Sequence, residues 1–211
     1  MIQLKQNASR LRAPAAMAVM ALAAFACVGT ASATVLCSTA TNPCTSKWPT
    51  GTEVAFSLKS GTSAKLTTTA GETLNTSTSS GFTGKLTNGG SSTSTPTVWL
   101  ADWWFINTTH PWTEVHSVGL EFHSIFSGSA PVTSDTTIHW ELHDIFGFAC
   151  DYGVSSGTSL GTVTGGSPST FTVNAVLKRL SGGFLCPETT KLSAEYVQTK
   201  PSGTSLYAEP S

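Results

Sequence analysis

Apolar and polar residues alternate with a period of two along much of this chain, the signature of β-strands with one face in a core and the other in water. In Glu53 to Lys59, Val54, Phe56 and Leu58 fall on one side while Glu53, Ser57 and Lys59 fall on the other. Thr170 to Leu180 repeats this, with Phe171, Val173, Ala175 and Leu177 inward and Thr172, Asn174 and Lys178 outward. Leu192, Ala194 and Tyr196 continue it in the next run. A further hairpin is read over Glu114 to Phe126 and Thr136 to Phe146, joined by Ser127 to Asp135, with Leu120, Phe122, Ile138, Trp140, Leu142 and Phe146 on its apolar side. Turn signals at Ser60-Gly61, Asn88-Gly89-Gly90, Gly165-Gly166 and Ser181-Gly182-Gly183 separate the runs at short intervals. No stretch shows the 3.6-residue period of an amphipathic helix. The pattern predicts an all-β fold, a predominantly antiparallel β-sandwich or β-barrel.

One apolar run breaks this rhythm. Ala15 to Val28 follows a positive head of Lys5, Arg10 and Arg12 and precedes the small residues Ala31-Ser32-Ala33. That order is the layout of an export signal, and the run is too short to span a bilayer. Residues 1–33 are therefore expected to be a signal peptide and 34–211 a single secreted β domain, outside the cytoplasm or in the cell envelope. The Ser/Thr/Gly/Asn-rich segment Thr87 to Thr95 reads as a long surface loop within that domain. Eleven basic and twelve acidic residues give the whole chain a net charge of −1. Without the leader's three basic residues the balance is eight against twelve, or −4. That charge argues against nucleic acid and anionic membrane surfaces as partners. No segment after the leader is apolar enough to cross a membrane as a helix.

Cys27 lies in the leader, and Cys37, Cys44, Cys150 and Cys186 follow it. An even number in an oxidising compartment points to two disulfides, with three possible connectivities. The favoured one joins Cys37 to Cys44 across Asn42-Pro43 and Cys150 to Cys186. A zinc site competes, but no Cys-x-x-Cys pair is present.

The run Cys150-Asp151-Tyr152-Gly153, the stretch Gly157 to Pro168, Asn174-Ala175-Val176, Ser181 to Pro187 and Ser205 to Glu209 resemble a family of uncharacterised bacterial secreted Ser/Thr/Gly-rich β-type proteins. Ala33 to Cys37 and Asn42-Pro43-Cys44 resemble the same family. The resemblance implies a signal peptide, a β-type body and paired cysteines, and it carries no active residues. It covers about half of the chain after the leader. The middle departs: where relatives carry further cysteines, this chain has Leu74 to Thr78 and the segment around Asp102.

Trp99, Trp103, Trp104 and Trp112 crowd into that middle. Exposed, such rings stack on sugars or anchor protein interfaces, which makes the four the candidate binding residues. The competing reading buries them, with Trp99, Trp103 and Phe105 on one side of a strand and Leu100, Trp104 and Ile106 on the other. Glu121, His123, His139, Glu141 and His143 form a second constellation. If His123 lay opposite His139 in the hairpin, imidazole and carboxylate groups would converge as zinc ligands; otherwise they form its wet face. No nucleophile elbow, phosphate loop, dinucleotide fingerprint or zinc-protease helix is present. No catalytic residue, metal or cofactor is assigned. The expected function is a non-catalytic binding or structural protein whose partner is a glycan, a surface polymer or another protein. The alternatives are a secreted metal-dependent enzyme built on the His/Glu cluster and, third, a pore-forming or surface-active β protein.

Overall fold

Every described strand pairs antiparallel with its neighbours, and the pairings close on themselves. The computed structural model describes residues 34–41, 43–109, 115–122, 129–134, 138–143 and 149–210. The leader, Asn42, His110, Trp112, Glu114, His123, Phe126, Asp144 and Phe146 thus lie outside the described residues. Fourteen strands run in order: β1 (Thr34–Cys37), β2 (Glu53–Leu58), β3 (Ala64–Thr68), β4 (Thr73–Asn88), β5 (Gly90–Ser91), β6 (Thr97–Thr108), β7 (Val115–Phe122), β8 (Ser129–Ser134), β9 (Ile138–His143), β10 (Ala149–Val154), β11 (Ser159–Thr164), β12 (Thr170–Ser181), β13 (Thr189–Lys200) and β14 (Tyr207–Pro210). Among the described residues there is no helix.

Several strands share one position in the wall. β2 and β3 both lie between β4 and β13. β10 and β11 both pair with β12, and on their other side β9 and β8 take one position in turn. The wall therefore has eight positions, taken in chain order: β2/β3, β4, β6, β7, β8/β9, β10/β11, β12 and β13. Each bonds to the next, and β13 bonds back to β2 through Ser57↔Val197. Of the two architectures the alternation allows, the chain adopts the closed up-and-down β-barrel.

Two positions are split by the same device. Ser57 pairs with Gly81 and Ala64 with Ser77, seven steps against four, so three extra residues stand between β2 and β3. Gly153 pairs with Lys178 and Gly161 with Val173, eight steps against five, which again leaves three extra between β10 and β11. Each insertion is a tight turn: the amide of Thr62 donates to the carbonyl of Lys59 at 3.0 Å, and that of Thr158 to Ser155 at 3.1 Å. Gly61 and Gly157 hold the third position, both at φ +78°, where a side chain would be strained. The tetrapeptide Ser-Gly-Thr-Ser builds both turns and recurs at Ser202–Ser205, where Gly203 has φ +72°.

The described side chains pack tightly inside the barrel. The inward positions expected from the alternation are buried at Val54 and Phe56; Phe171, Val173, Ala175 and Leu177; and Leu192, Ala194 and Tyr196, while Leu58 is half-buried against the core. Phe82 sits centrally, with its ring centroid 5.0 Å from Phe56, 5.5 Å from Tyr196, 5.6 Å from Trp103 and 5.9 Å from Phe171. An eight-stranded barrel encloses a space that side chains can occupy completely.

One end is closed by a separate small sheet, in which β1 pairs with β14 and β5. Leu36, Trp48 and Leu206 join the core there. Cys37 is bonded to Cys44 beside them. Thr87 to Thr95, read as surface loop, thus contributes β5 to this closure. The second disulfide, Cys150–Cys186, ties the start of β10 to the turn between β12 and β13. Two formed disulfides accord with an oxidising compartment.

Candidate functional site

The fate of the tryptophan segment is decided by a single extra residue in β6. Thr83 pairs with Asp102 but Gly84 pairs with Leu100, so Ala101 is bulged out of the ladder with β4. A bulge reverses the alternation. Before it Val98 and Leu100 point inward, and after it Trp103 and Phe105 do. Trp99, Trp104 and Ile106 are left on the outer wall.

Trp103 is 0% exposed, and a hydrogen-bond chain fixes it. Its indole Nε1–H donates to the Tyr196 hydroxyl at 3.0 Å. Ser80 spends its one hydroxyl proton on the carbonyl of Trp104 at 2.7 Å. Tyr196 must then donate to the Ser80 oxygen, 2.8 Å away. Burial pushes the Tyr196 phenol up to about 12, against the lowering effect of the hydrogen bonds to Ser80 and Trp103. This network is structural: it satisfies polar atoms in the aromatic core and presents nothing to solvent.

The four candidate tryptophans therefore separate. Trp103 is lost as a contact residue, because the bulge turns it into the core. Trp99 is 40% exposed and Ile106 52%, both facing outward. Trp104 is half-buried, its ring lying over Gly81, where a Cβ would come within 2.6 Å of the indole. Trp112 lies outside the described residues. What remains is an outward apolar surface of Trp99, Trp104 and Ile106 on one strand.

The described strand pairings differ from the hairpin on which the His/Glu reading rests. β8 occupies the segment expected to be a turn, and Glu121 pairs with Thr133 and Phe122 with Val132. His139 stands six residues beyond Thr133, well past that pairing. In β9, Ile138 and Trp140 are buried while His139 is exposed, the arrangement expected of an ordinary wet face. His139 Nδ1 is 3.5 Å from Asp151 Oδ2, and Glu141 pairs with Asp151 across the ladder. Among the described residues no group of three or more His, Cys, Asp or Glu side chains could hold a metal. His123 lies outside the described residues.

Sequence reasoning passed over the turn after β12. Ser181-Gly182-Gly183 was legible as a turn, but Phe184 at 94% and Leu185 at 68% are the most exposed large apolar side chains described. Two adjacent large apolar residues in a glycine-rich turn were the available signal. Gly153, Val176, Lys178 and Leu180 are among the residues lining a cavity of about 130 Å³ between β10 and β12. Among the described residues no helix is long and apolar enough to cross a membrane. The chain matches no family model, no curated protein and no solved structure. The functional reading therefore rests on these surfaces.

Proposed function

We propose that this chain is an exported, non-catalytic binding protein of the bacterial envelope or extracellular space, and that it engages its partner with the outside of the barrel. The observation that carries this reading is the contrast within β6: the interior is filled by Trp103 and Phe105, while Trp99, Trp104 and Ile106 face outward. The described part of the interior is packed with side chains, and the apolar residues left on the outer wall are the surface this reading rests on. Flat, amphipathic indoles suit the apolar faces of sugar rings, so a glycan or surface polymer is the partner best matched to Trp99 and Trp104. The leader-like N-terminus, the paired cysteines and the resemblance to bacterial secreted proteins support placement outside the cytoplasm.

Tryptophan fluorescence tests the reading directly. Trp99 should supply a red-shifted component open to acrylamide, and a bound envelope polysaccharide should shift and protect it. Trp99→Ala should lose that component and the response together. Emission that stays unchanged across a polysaccharide panel, in both wild type and variant, would refute the contact surface.

A further inference from the structure

Four of the six large apolar side chains exposed among the described residues fall between Val176 and Leu185: Val176 at 55%, Leu180 at 46%, Phe184 at 94% and Leu185 at 68%. The core does not need them. β12 delivers Phe171, Val173, Ala175 and Leu177 inward, and its other outward positions, Thr172, Asn174 and Lys178, are polar and exposed. Val176 and Leu180 stand in that outward series, against its polar grain.

The turn that carries Phe184 and Leu185 is held rigidly from beneath. Cys186 is bonded to Cys150, and its amide donates to the carbonyl of Gly183 at 3.0 Å. The Arg179 guanidinium donates to the carbonyl of Gly183 at 3.2 Å and to that of Cys186. Gly182, at φ +125°, packs so closely that a Cβ would lie 2.7 Å from Cys186 Sγ and 3.0 Å from the carbonyl of Ala149. With the turn already fixed, covering these two side chains costs rotamer freedom but little backbone ordering.

The charged groups beside them are of both signs, with two cations on the stripe itself. Lys178 and Lys191 are exposed on it, Arg179 is engaged by the turn, and the acids nearby are Glu188 and Asp151, which pairs with Ser181 across the ladder. Lys191 pairs with Val176 across the ladder, and Lys178 is exposed between Val176 and Leu180. Net charge read along the sequence pointed away from anionic surfaces. The fold gathers these cations around an apolar stripe.

We propose that this wall binds an anionic lipid surface, with Phe184 and Leu185 entering the boundary between headgroups and acyl chains while Lys178 and Lys191 meet lipid phosphates. Apolar insertion and attraction to lipid phosphates add, so the two together hold the protein more tightly than either alone. A second copy of this chain fits the patch less well, because a two-fold contact through β12 would bring like lysines together.

Flotation of the oxidised protein with phosphatidylcholine vesicles, with and without phosphatidylglycerol, tests the assignment. The protein should rise with the phosphatidylglycerol vesicles and release as salt is added. Phe184→Asp with Leu185→Asp should lower partition at least tenfold. Lys178→Gln or Lys191→Gln should each lower only the phosphatidylglycerol-dependent part, by about fivefold. Phe184→Trp should add an emission that moves to the blue on vesicles. Unchanged melting curves establish that the variants fold. No flotation at low salt, or equal flotation of the wild type and the double Asp variant, overturns the proposal. So does self-association in sedimentation that the double Asp variant abolishes, since that outcome assigns the stripe to a second copy.

Discussion

β6 and β12 stand four positions apart in an eight-position barrel, on opposite walls, and they sort their apolar residues by different means. β12 keeps strict alternation from Phe171 to Leu177, so position alone decides which side chains reach the core. In β6 the bulge at Ala101 intervenes, and Trp99 and Trp103, four residues apart, end on opposite faces. Residue type says little about burial in such a strand. In β12 the reverse holds: an apolar residue at an outward position is surplus to the core and marks a surface.

Substitution should expose this difference most sharply in β6. Trp103→Ala removes a fully buried ring and the donor to Tyr196, and should cost about 4 to 5 kcal/mol in chemical denaturation. Trp99→Ala should fall within about 0.5 kcal/mol of wild type in the same measurement. Comparable losses for the two would mean that the bulge does not separate them.

The disulfide at the end of β12 supplies the next effect. Cys150–Cys186 spans 36 residues of sequence and Cys37–Cys44 spans 7. On chain-entropy grounds, replacing the first pair with serines should cost about 4 kcal/mol and replacing the second about 2.5 kcal/mol. Equilibrium unfolding of the two variants would show whether the longer loop matters more.

The smallest effect concerns the hydroxyl that Trp103 uses. With the Tyr196 phenol raised to about 12 in the folded state, the native protein keeps this proton at pH values where the unfolded chain releases it. The unfolded state then binds fewer protons, so stability is full below pH 10 and falls as pH rises toward 12, by roughly 2 to 3 kcal/mol. Tyr196→Phe should flatten that decline. An alkaline limb of equal slope in the variant would assign the loss to other groups.

Much of the wall was legible beforehand, and the misses share a cause. The inward sets of β2, β12 and β13 follow from alternation because those strands run without insertion through their buried stretches. Trp103 did not, because one inserted residue reverses every later side chain while leaving local composition unchanged. The segment Ser127 to Asp135 looked like a turn, since Gly128 and Pro131 are poor strand formers. Yet Val132 in β8 is fully buried, and Pro131 takes a place opposite Thr162. Both cysteine pairs formed as spacing favoured. The stripe proposed for lipid was hidden because Lys178 and Lys191 lie on different strands and are brought onto one face only when β12 pairs with β13.

Closure of this barrel joins Leu58 to Tyr196, and the small sheet at its end joins Thr34 to Pro210. Contacts so distant along the polypeptide incur their loop-closure cost before any reward, which places folding in the millisecond-to-second regime of high contact order. The ladder cannot close until β13 pairs with both β12 and β2. Until then the barrel stays open, and its hairpins wait for β13 to seal them.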